Sequence, residues 1–243
     1  MIEQLITDHL DLWSSAVRPK SSAGRGSNSK LELTGIKKLR ELILELAVCG
    51  KLVPQDPNDE PASVLLERIA AEKARLVKEG KIKKSKPLAE ITDDEKPFEL
   101  PEGWEWCRLG YVGVCSTGKT PSTSVNEYFN GDIPFIGPGQ ITQSGSIIEP
   151  DKYLSESGLL NSEEANQGDV FTVCIGGSIG KSAIVHGRIG FNQQINAIKP
   201  IKFSSAFLYS ILSTRFFIDS MVSASTGSAT PIINRSKWEP DYP

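Results

Sequence analysis

The feature that most constrains this chain is a change in the spacing of its apolar residues near Pro97. Before it, Ile36, Leu39, Ile43, Leu46 and Ala47 recur at helical spacing, and so do Val64, Leu65, Ile69, Ala70 and Leu76. Apolar residues three and four apart share one face of a helix, so two helices are predicted. Thr34 and Ser63 stand where N-caps belong, and Gly50 and Gly80 where the helices should stop. From Phe98 onward the apolar residues come in short runs cut by Gly, Pro, Asn and Ser: WEWCRL, YVGVCS, IPFIG, SGSIIEP, DVFTVCIGG, KSAIVHG and INAIKPI. These read as strands. A helix returns over residues 204–222, where Phe207, Leu208, Ile211, Leu212, Phe216 and Met221 form a stripe. The class is α+β, with strands dominant in the later part and a helical arm before it.

Charge follows the same boundary. Residues 1–96 hold 17 of the 27 Lys and Arg and 16 of the 30 acidic residues, which leaves the later part with 10 against 14. A chain of net charge −3 cannot hold nucleic acid by bulk electrostatics, since phosphate neutralisation needs clustered cations. Any contact with DNA has to be local or shared with a partner. Three segments are expected: residues 1–30, with a helix over 2–17 and a mobile linker over 19–29; a helical region over 31–96; and a strand-rich domain over 97–243. The apolar stripe of the 36–48 helix also includes Leu42 and Leu44 and is wider than a solvated helix needs, so it should pack against something. Lys81, Lys83, Lys84 and Lys86 follow the second helix, where they either favour its dipole or meet phosphate.

The run over 100–121, LPEGWEWCRLGYVGVCSTGKTP, contains a P-loop spacing in Gly113, Gly118, Lys119 and Thr120. A phosphate loop must open a helix whose free N–H groups hold the anion, yet Pro121, Ser122, Thr123 and Ser124 follow without an apolar helical series. A nucleotide-hydrolysing enzyme is therefore the alternative reading and not the leading one. Residues 176–182, GGSIGKS, have Ile175 where a P-loop needs glycine, and read as a tight hairpin with glycines at positive φ. Cys49, Cys107, Cys115 and Cys174 lack metal-ligand spacing and the only histidines are His9 and His186, so neither a metal nor any other cofactor is expected. Trp104 and Trp106 should point to opposite faces of a strand. Glu163 and Glu164 read as a solvated turn without catalytic meaning. An acidic N-terminus and the lack of a long apolar run predict a cytoplasmic protein with no membrane association.

Six pieces occur in one order: LPEGWEWCRLG, GKTPS, IPFIGPGQI, GDVFTVCIGGSIGKSAIV, FNQQINAIKP and STGSATPIINRSKW. Together they resemble a target recognition domain of a type I restriction-modification specificity subunit. The upstream stretch KKLRELILELAVCGKLVPQDPNDEPASVLLERI is similar to the helical conserved region of that family, so the likeness runs from Lys37 to Trp238. The resemblance implies a non-catalytic reader of one half of a split double-stranded DNA site. Its partners would be a methyltransferase (modification) subunit and a nuclease/translocase subunit, with self-association through the helices as a further expectation. One recognition domain where the family usually has two suggests a half subunit or an N-terminal portion. A DNA-free interaction module is the remaining alternative.

Base reading needs side chains of fixed donor and acceptor geometry, amides for adenine and cations for guanine or phosphate. Candidates in polar loops are Lys119, Thr120 and Ser122; Gln140, Thr142 and Gln143; Ser178 and Lys181; Asn192, Gln193 and Gln194; and Ser228 and Thr230. The three adjacent amides either read bases or order a strand entry by bonding backbone groups.

Overall fold

The computed structural model describes residues 2–19, 31–227 and 230–241. The chain forms two compact units, Met1–Pro57 and Asn58–Pro243. Ser228 and nearly all of the expected 19–29 linker lie outside the described residues.

In the first unit the expected N-terminal helix is two short ones, α1 (Ile2–Thr7) and α2 (Leu10–Ser15). Asp8 and His9, two weak helix formers, sit at the break. A two-residue antiparallel pair, β1 (Arg18–Pro19) with β2 (Leu31–Glu32), leads into α3 (Thr34–Val48). Thr34 is the first helical residue, and the cap position falls on Leu33. The stop is as the sequence requires: Gly50 turns at φ 66, the Gly50 N–H donates to the Ala47 carbonyl at 3.1 Å, and the Lys51 N–H donates to that of Leu46 at 2.8 Å.

The second unit begins with α4 (Ala62–Lys78), whose cap position is Pro61 and not Ser63, and which closes at Gly80 by the same pair of bonds. The expected division at residues 96/97 set α4 apart from the strand-rich domain. In the structure Ile69 of α4 is 1% exposed within that domain's core, and Leu65, Leu66 and Leu76 pack against the same core. Lys73 reaches the carbonyls of Gly110 and Gly113, the latter at 2.9 Å, so its ammonium ties α4 to α5 (Leu109–Val112) and to the start of β3 (Gly113–Thr117). Burial of this ammonium pulls its pKa below the usual lysine range.

After β3 come β4 (Ile133–Ile136), β5 (Lys152–Leu154), α6 (Glu156–Leu160), β6 (Glu163–Ala165), β7 (Val170–Val173), β8 (Ser182–Ile184), β9 (Ile189–Phe191) and β10 (Ile195–Pro200). Helices α7 (Ser205–Leu212), α8 (Arg215–Ala224) and α9 (Arg235–Asp241) follow. One sheet has the order β3-β10-β7-β8 and is antiparallel throughout; the other has the order β5-β4-β9-β6, with β4 and β9 parallel. Strand side chains alternate between faces, so β7 and β10 each serve two cores. Phe171, Val173, Ile195 and Ala197 meet Ile136, Ala165, Ile189 and Phe191 between the sheets, with the Phe171 and Phe191 rings 4.6 Å apart. Val170 and Ile198 face the other way, into a core covered by Leu208, Leu212, Phe217, Met221 and Trp238 of the helices. A third, smaller core of Ile133, Phe135, Leu154 and Leu159 lies under α6.

Four further expectations change. SGSIIEP is not a strand but part of a turn closed by an isolated bridge between Ile147 and Ile141. The 204–222 helix is broken at Ser213–Thr214, where the Thr214 hydroxyl accepts from the Phe217 N–H at 3.2 Å and caps α8. WEWCRL is not a strand: Trp104 stacks edge-on against Phe207 at 5.9 Å and Trp106 against Phe98 at 4.8 Å, while Arg108 bonds backbone carbonyls in place of a neighbouring strand. Glu163 and Glu164 lie in edge strand β6, not in a turn, and Glu164 pairs with Arg188 at 3.3 Å.

Candidate nucleic-acid interface

Strand register brings the polar loops to one end of the two sheets. Thr117 at the end of β3 pairs with Asn196 at the start of β10, and Val173 at the end of β7 pairs with Ile195. The loops over 118–125, 174–181 and 192–194 therefore leave from the same end. Ile136 pairs with Phe191 in the parallel register, so the turn at 137–140 leaves there too. Glu163 pairs with Phe191, which sets residues 160–162 at the same rim.

Backbone bonds weld these loops together. The Gly118 N–H donates to the Ile195 carbonyl at 3.1 Å, the Lys119 N–H to that of Phe191 at 2.9 Å, and the Asn192 N–H to that of Ile136 at 3.0 Å. The Cys174 N–H donates to the Gln194 carbonyl at 2.9 Å, and the Gly176 N–H to the Pro231 carbonyl at 2.8 Å, which adds the segment around Thr230. Beneath the rim Thr117, Asn196, Thr172 and Ser182 form a polar row across four strands, with Thr117 Oγ1 donating to Asn196 Oδ1 at 2.8 Å and the Thr172 and Ser182 hydroxyls 3.2 Å apart.

The candidates separate into engaged and presented groups. Gln140 accepts from the Gly137 N–H at 3.0 Å and donates to Asp151 at 2.8 Å, so both ends of its amide are engaged. Thr142 closes its own turn through the Ser146 N–H at 2.9 Å, and that turn rests on α7, where the Tyr209 hydroxyl donates to the Ser144 carbonyl at 3.4 Å. Asn192 accepts from the Gln194 N–H at 3.0 Å and donates to the Gln194 side chain at 3.3 Å. Those two amides order the entry to β10. Gln193 between them is exposed and accepts from the Thr120 hydroxyl at 2.7 Å, which leaves its NH₂ free to donate. Lys119, Ser122, Gln143 and Thr230 are exposed, and Ser178 and Lys181 are half-buried. Ser122 shares its hydroxyl with Ser124 at 2.8 Å.

The phosphate-loop alternative does not survive this geometry. Gly113–Thr117 is strand β3, Gly118 is pressed against the Asn192 carbonyl, and the next helical turn is the short 3₁₀ segment Asn126–Phe129. Residues 176–182 form the expected hairpin link between β7 and β8, with Gly176 at φ 62 and Gly180 at φ 84. Burial pushes the Cys107 thiol up to about 11, the Cys174 thiol up to about 12 and the Cys115 thiol up as well, so all three stay protonated. Among the described residues no group of three His, Cys, Asp or Glu could hold a metal, and no helix is long and apolar enough to cross a membrane.

Sequence reasoning missed Leu160, Asp151 and Ser162. Their place at the rim follows from the pairing of β5 and β6, three-residue strands that leave no periodic signal.

The rim thus presents exposed donors on a two-sheet frame. Residues 101–239 match the type I restriction modification DNA specificity domain, and the chain belongs to that family. The type I restriction enzyme EcoEI specificity subunit of Escherichia coli is 74% identical over 113 residues, 46% of this chain and 19% of that protein. The EcoAI specificity subunit of the same species is 72% identical over 108 residues, 44% of this chain and 18% of its own length. The HindI specificity subunit of Haemophilus influenzae is 27% identical over 247 residues, 87% of this chain and 53% of that one. The chain thus spans between about a fifth and about half of these relatives. Among solved structures, an HsdS subunit from Thermoanaerobacter tengcongensis aligns at 16% identity with a TM-score of 0.46, over 96% of this chain and 54% of that one.

Proposed function

We propose that this chain is a DNA-recognition component of a type I restriction-modification enzyme, reading one half of a split duplex site in the cytoplasm and carrying no chemistry of its own. Methyl transfer would belong to a methyltransferase partner, and ATP-driven translocation and cleavage to a nuclease/translocase partner. The observation that carries this reading is that the family match over 101–239 contains the whole rim. Within that rim, Lys119 and Lys181 suit phosphate and Gln193 with its free NH₂ suits a base edge, while Gln143, exposed on the turn that rests on α7, has the same donor and acceptor chemistry. Gln140, Thr142, Asn192 and Gln194 brace the loops.

The net charge of −3 limits how tightly the chain can hold DNA alone. The expected result with the purified chain is weak duplex binding with little sequence preference and no ATP turnover, and sharp preference only with the methyltransferase partner present. In that complex Lys119→Ala should weaken all sequences alike and lower the salt slope by about 1, while Gln193→Ala should cost about 1–3 kcal/mol at a single base position. Binding titrations over a salt series on selected and scrambled duplexes decide the matter. No duplex binding by the complex, or robust ATPase activity lost in Lys119→Ala, would sink the proposal.

The first unit is assigned to partner docking, with self-association as the competing outcome. Leu31, Leu33 and Val53 are 64%, 55% and 66% exposed, an unusual density of bare apolar side chains for so small a unit. Leu33→Asp with Val53→Asp should not lower the melting temperature, aspartate being favourable at the α3 cap position, and should reduce methyltransferase capture at least tenfold in a pull-down. Unchanged capture would move the docking face elsewhere. A change in the chain's own sedimentation instead would favour self-association.

A further inference from the structure

Leu160 is 87% exposed, the barest large apolar side chain among the described residues. A single surface leucine needs no explanation by itself. This one, however, is held rigidly and stands at the rim. At the start of α6 the Ser155 hydroxyl accepts from the Gly158 N–H at 3.1 Å, and at its end the Asn161 N–H donates to the Gly158 carbonyl at 3.1 Å and the Ser162 N–H to that of Leu159 at 2.9 Å. Leu159, its neighbour, is 4% exposed in the core under α6, and Gly158 lies so close to the Tyr128 carbonyl that a Cβ there would stand 2.1 Å from it. The shoulder is fixed on three sides, so it presents the leucine in one place.

That place adjoins Lys119, the exposed lysine assigned above to phosphate. The Ser162 hydroxyl donates to the Lys119 carbonyl at 2.7 Å, and Lys119 is itself bonded through its N–H to Phe191, the residue that pairs with Glu163. Leu160 lies two residues before Ser162, a span of at most about 7 Å. The segments that carry Leu160 and Lys119 are thus joined at one point of the rim, the side of the domain proposed to enter the major groove. In that groove the only apolar feature on any base edge is the thymine methyl. The side chains around the leucine are polar: Ser157, Asn161, Ser162 and, one strand away, Glu164, whose charge is offset by Arg188 at 3.3 Å. A contiguous apolar patch of the kind that docks a protein is absent among these neighbours.

We propose that Leu160 is a specificity-determining residue that reads a thymine by covering its 5-methyl group while Lys119 holds the adjoining phosphate. The inference rests on the chain being a duplex reader and adds a base identity to one position of its site. Thymine and uracil differ only by this methyl, so the pair isolates the contact without altering any hydrogen bond.

The test uses the full chain with its methyltransferase partner and a duplex selected by that complex from a random pool. Each thymine in the site is replaced singly by uracil. At one position the replacement should weaken binding about fourfold, the equivalent of one buried methyl at ~0.8 kcal/mol. Leu160→Ala should bind the thymine and uracil duplexes equally, and Leu160→Met should restore most of the difference. A selected site without thymine, a thymine-to-uracil ratio unchanged in Leu160→Ala, or an equal loss on all sequences would each overturn the inference while leaving the duplex reader intact. Failure of the complex to select any duplex would overturn the parent reading and this inference with it.

Discussion

Replacing Arg108 by methionine is expected to destabilise the second unit by about 2–4 kcal/mol and to flatten its response to acid. Arg108 is 3% exposed, and its guanidinium donates to both oxygens of Glu95 at 2.7 and 2.8 Å, to the Glu90 carbonyl at 2.9 Å and to the Ala89 carbonyl at 3.3 Å. It is therefore the post around which residues 89–95 are wrapped. Methionine fills much of the volume but removes the donor to the Ala89 and Glu90 carbonyls and leaves the Glu95 carboxylate with Thr92 alone. Glu95 retains 32% of its side-chain exposure and can partly rehydrate, which places the loss toward the low end of that range.

The acid response follows from the same pair. Hydrogen bonds from Arg108, with the Thr92 N–H in support, hold the Glu95 carboxyl down to about 2 from an ordinary 4.5. A carboxylate whose folded pKa is depressed contributes stability that is fully present above its unfolded value and is lost as pH falls toward the folded one. The parent chain should lose stability between about pH 4.5 and 2 through this group, and Arg108→Met should lose much less across that window. Urea midpoints at pH 6, 4 and 3 for both proteins provide the check. Parallel declines would assign the acid sensitivity to other carboxylates.

The parts of this fold legible in the sequence are those whose cause is local. Helices α3 and α4 showed through their 3.6-residue period and their terminal glycines, and β4, β7, β8 and β10 through short apolar runs that tolerate no helix of useful length. Strands β5, β6 and β9 have three residues each and exist only because a neighbour pairs with them. The break between α7 and α8 was hidden because the apolar stripe runs straight across it, and only the Thr214 cap marks it. The loops of the rim were recognisable as polar. Which of their side chains are free was not, since the partner of Thr120 lies 73 residues away and that of Gln140 lies 11 away. Gly118 and Lys119 were visible as a phosphate-loop pattern because spacing alone carries no record of whether a helix follows.

Gly118 is where that false pattern has its physical explanation, and Gly118→Ala is expected to disable recognition. The residue is glycine because two loops cross there: a Cβ would lie 2.0 Å from the Asn192 carbonyl oxygen, 2.5 Å from its carbon and 2.6 Å from the Phe191 ring. The obstacle is mostly backbone, so no rotamer change relieves it, and the loop carrying Lys119 must move away from the loop carrying Gln193. Overpacking of this kind typically costs about 1–3 kcal/mol. Its functional effect should be larger than its thermal one, since the bonds from Gly118 to Ile195 and from Lys119 to Phe191 would have to lengthen and the Thr120–Gln193 contact at 2.7 Å would part. The variant should stay folded, with its unfolding free energy lowered by that amount, yet select no preferred duplex with the methyltransferase partner. Retained sequence preference in Gly118→Ala would mean that the 118–120 and 192–194 loops read DNA independently, or that neither reads it.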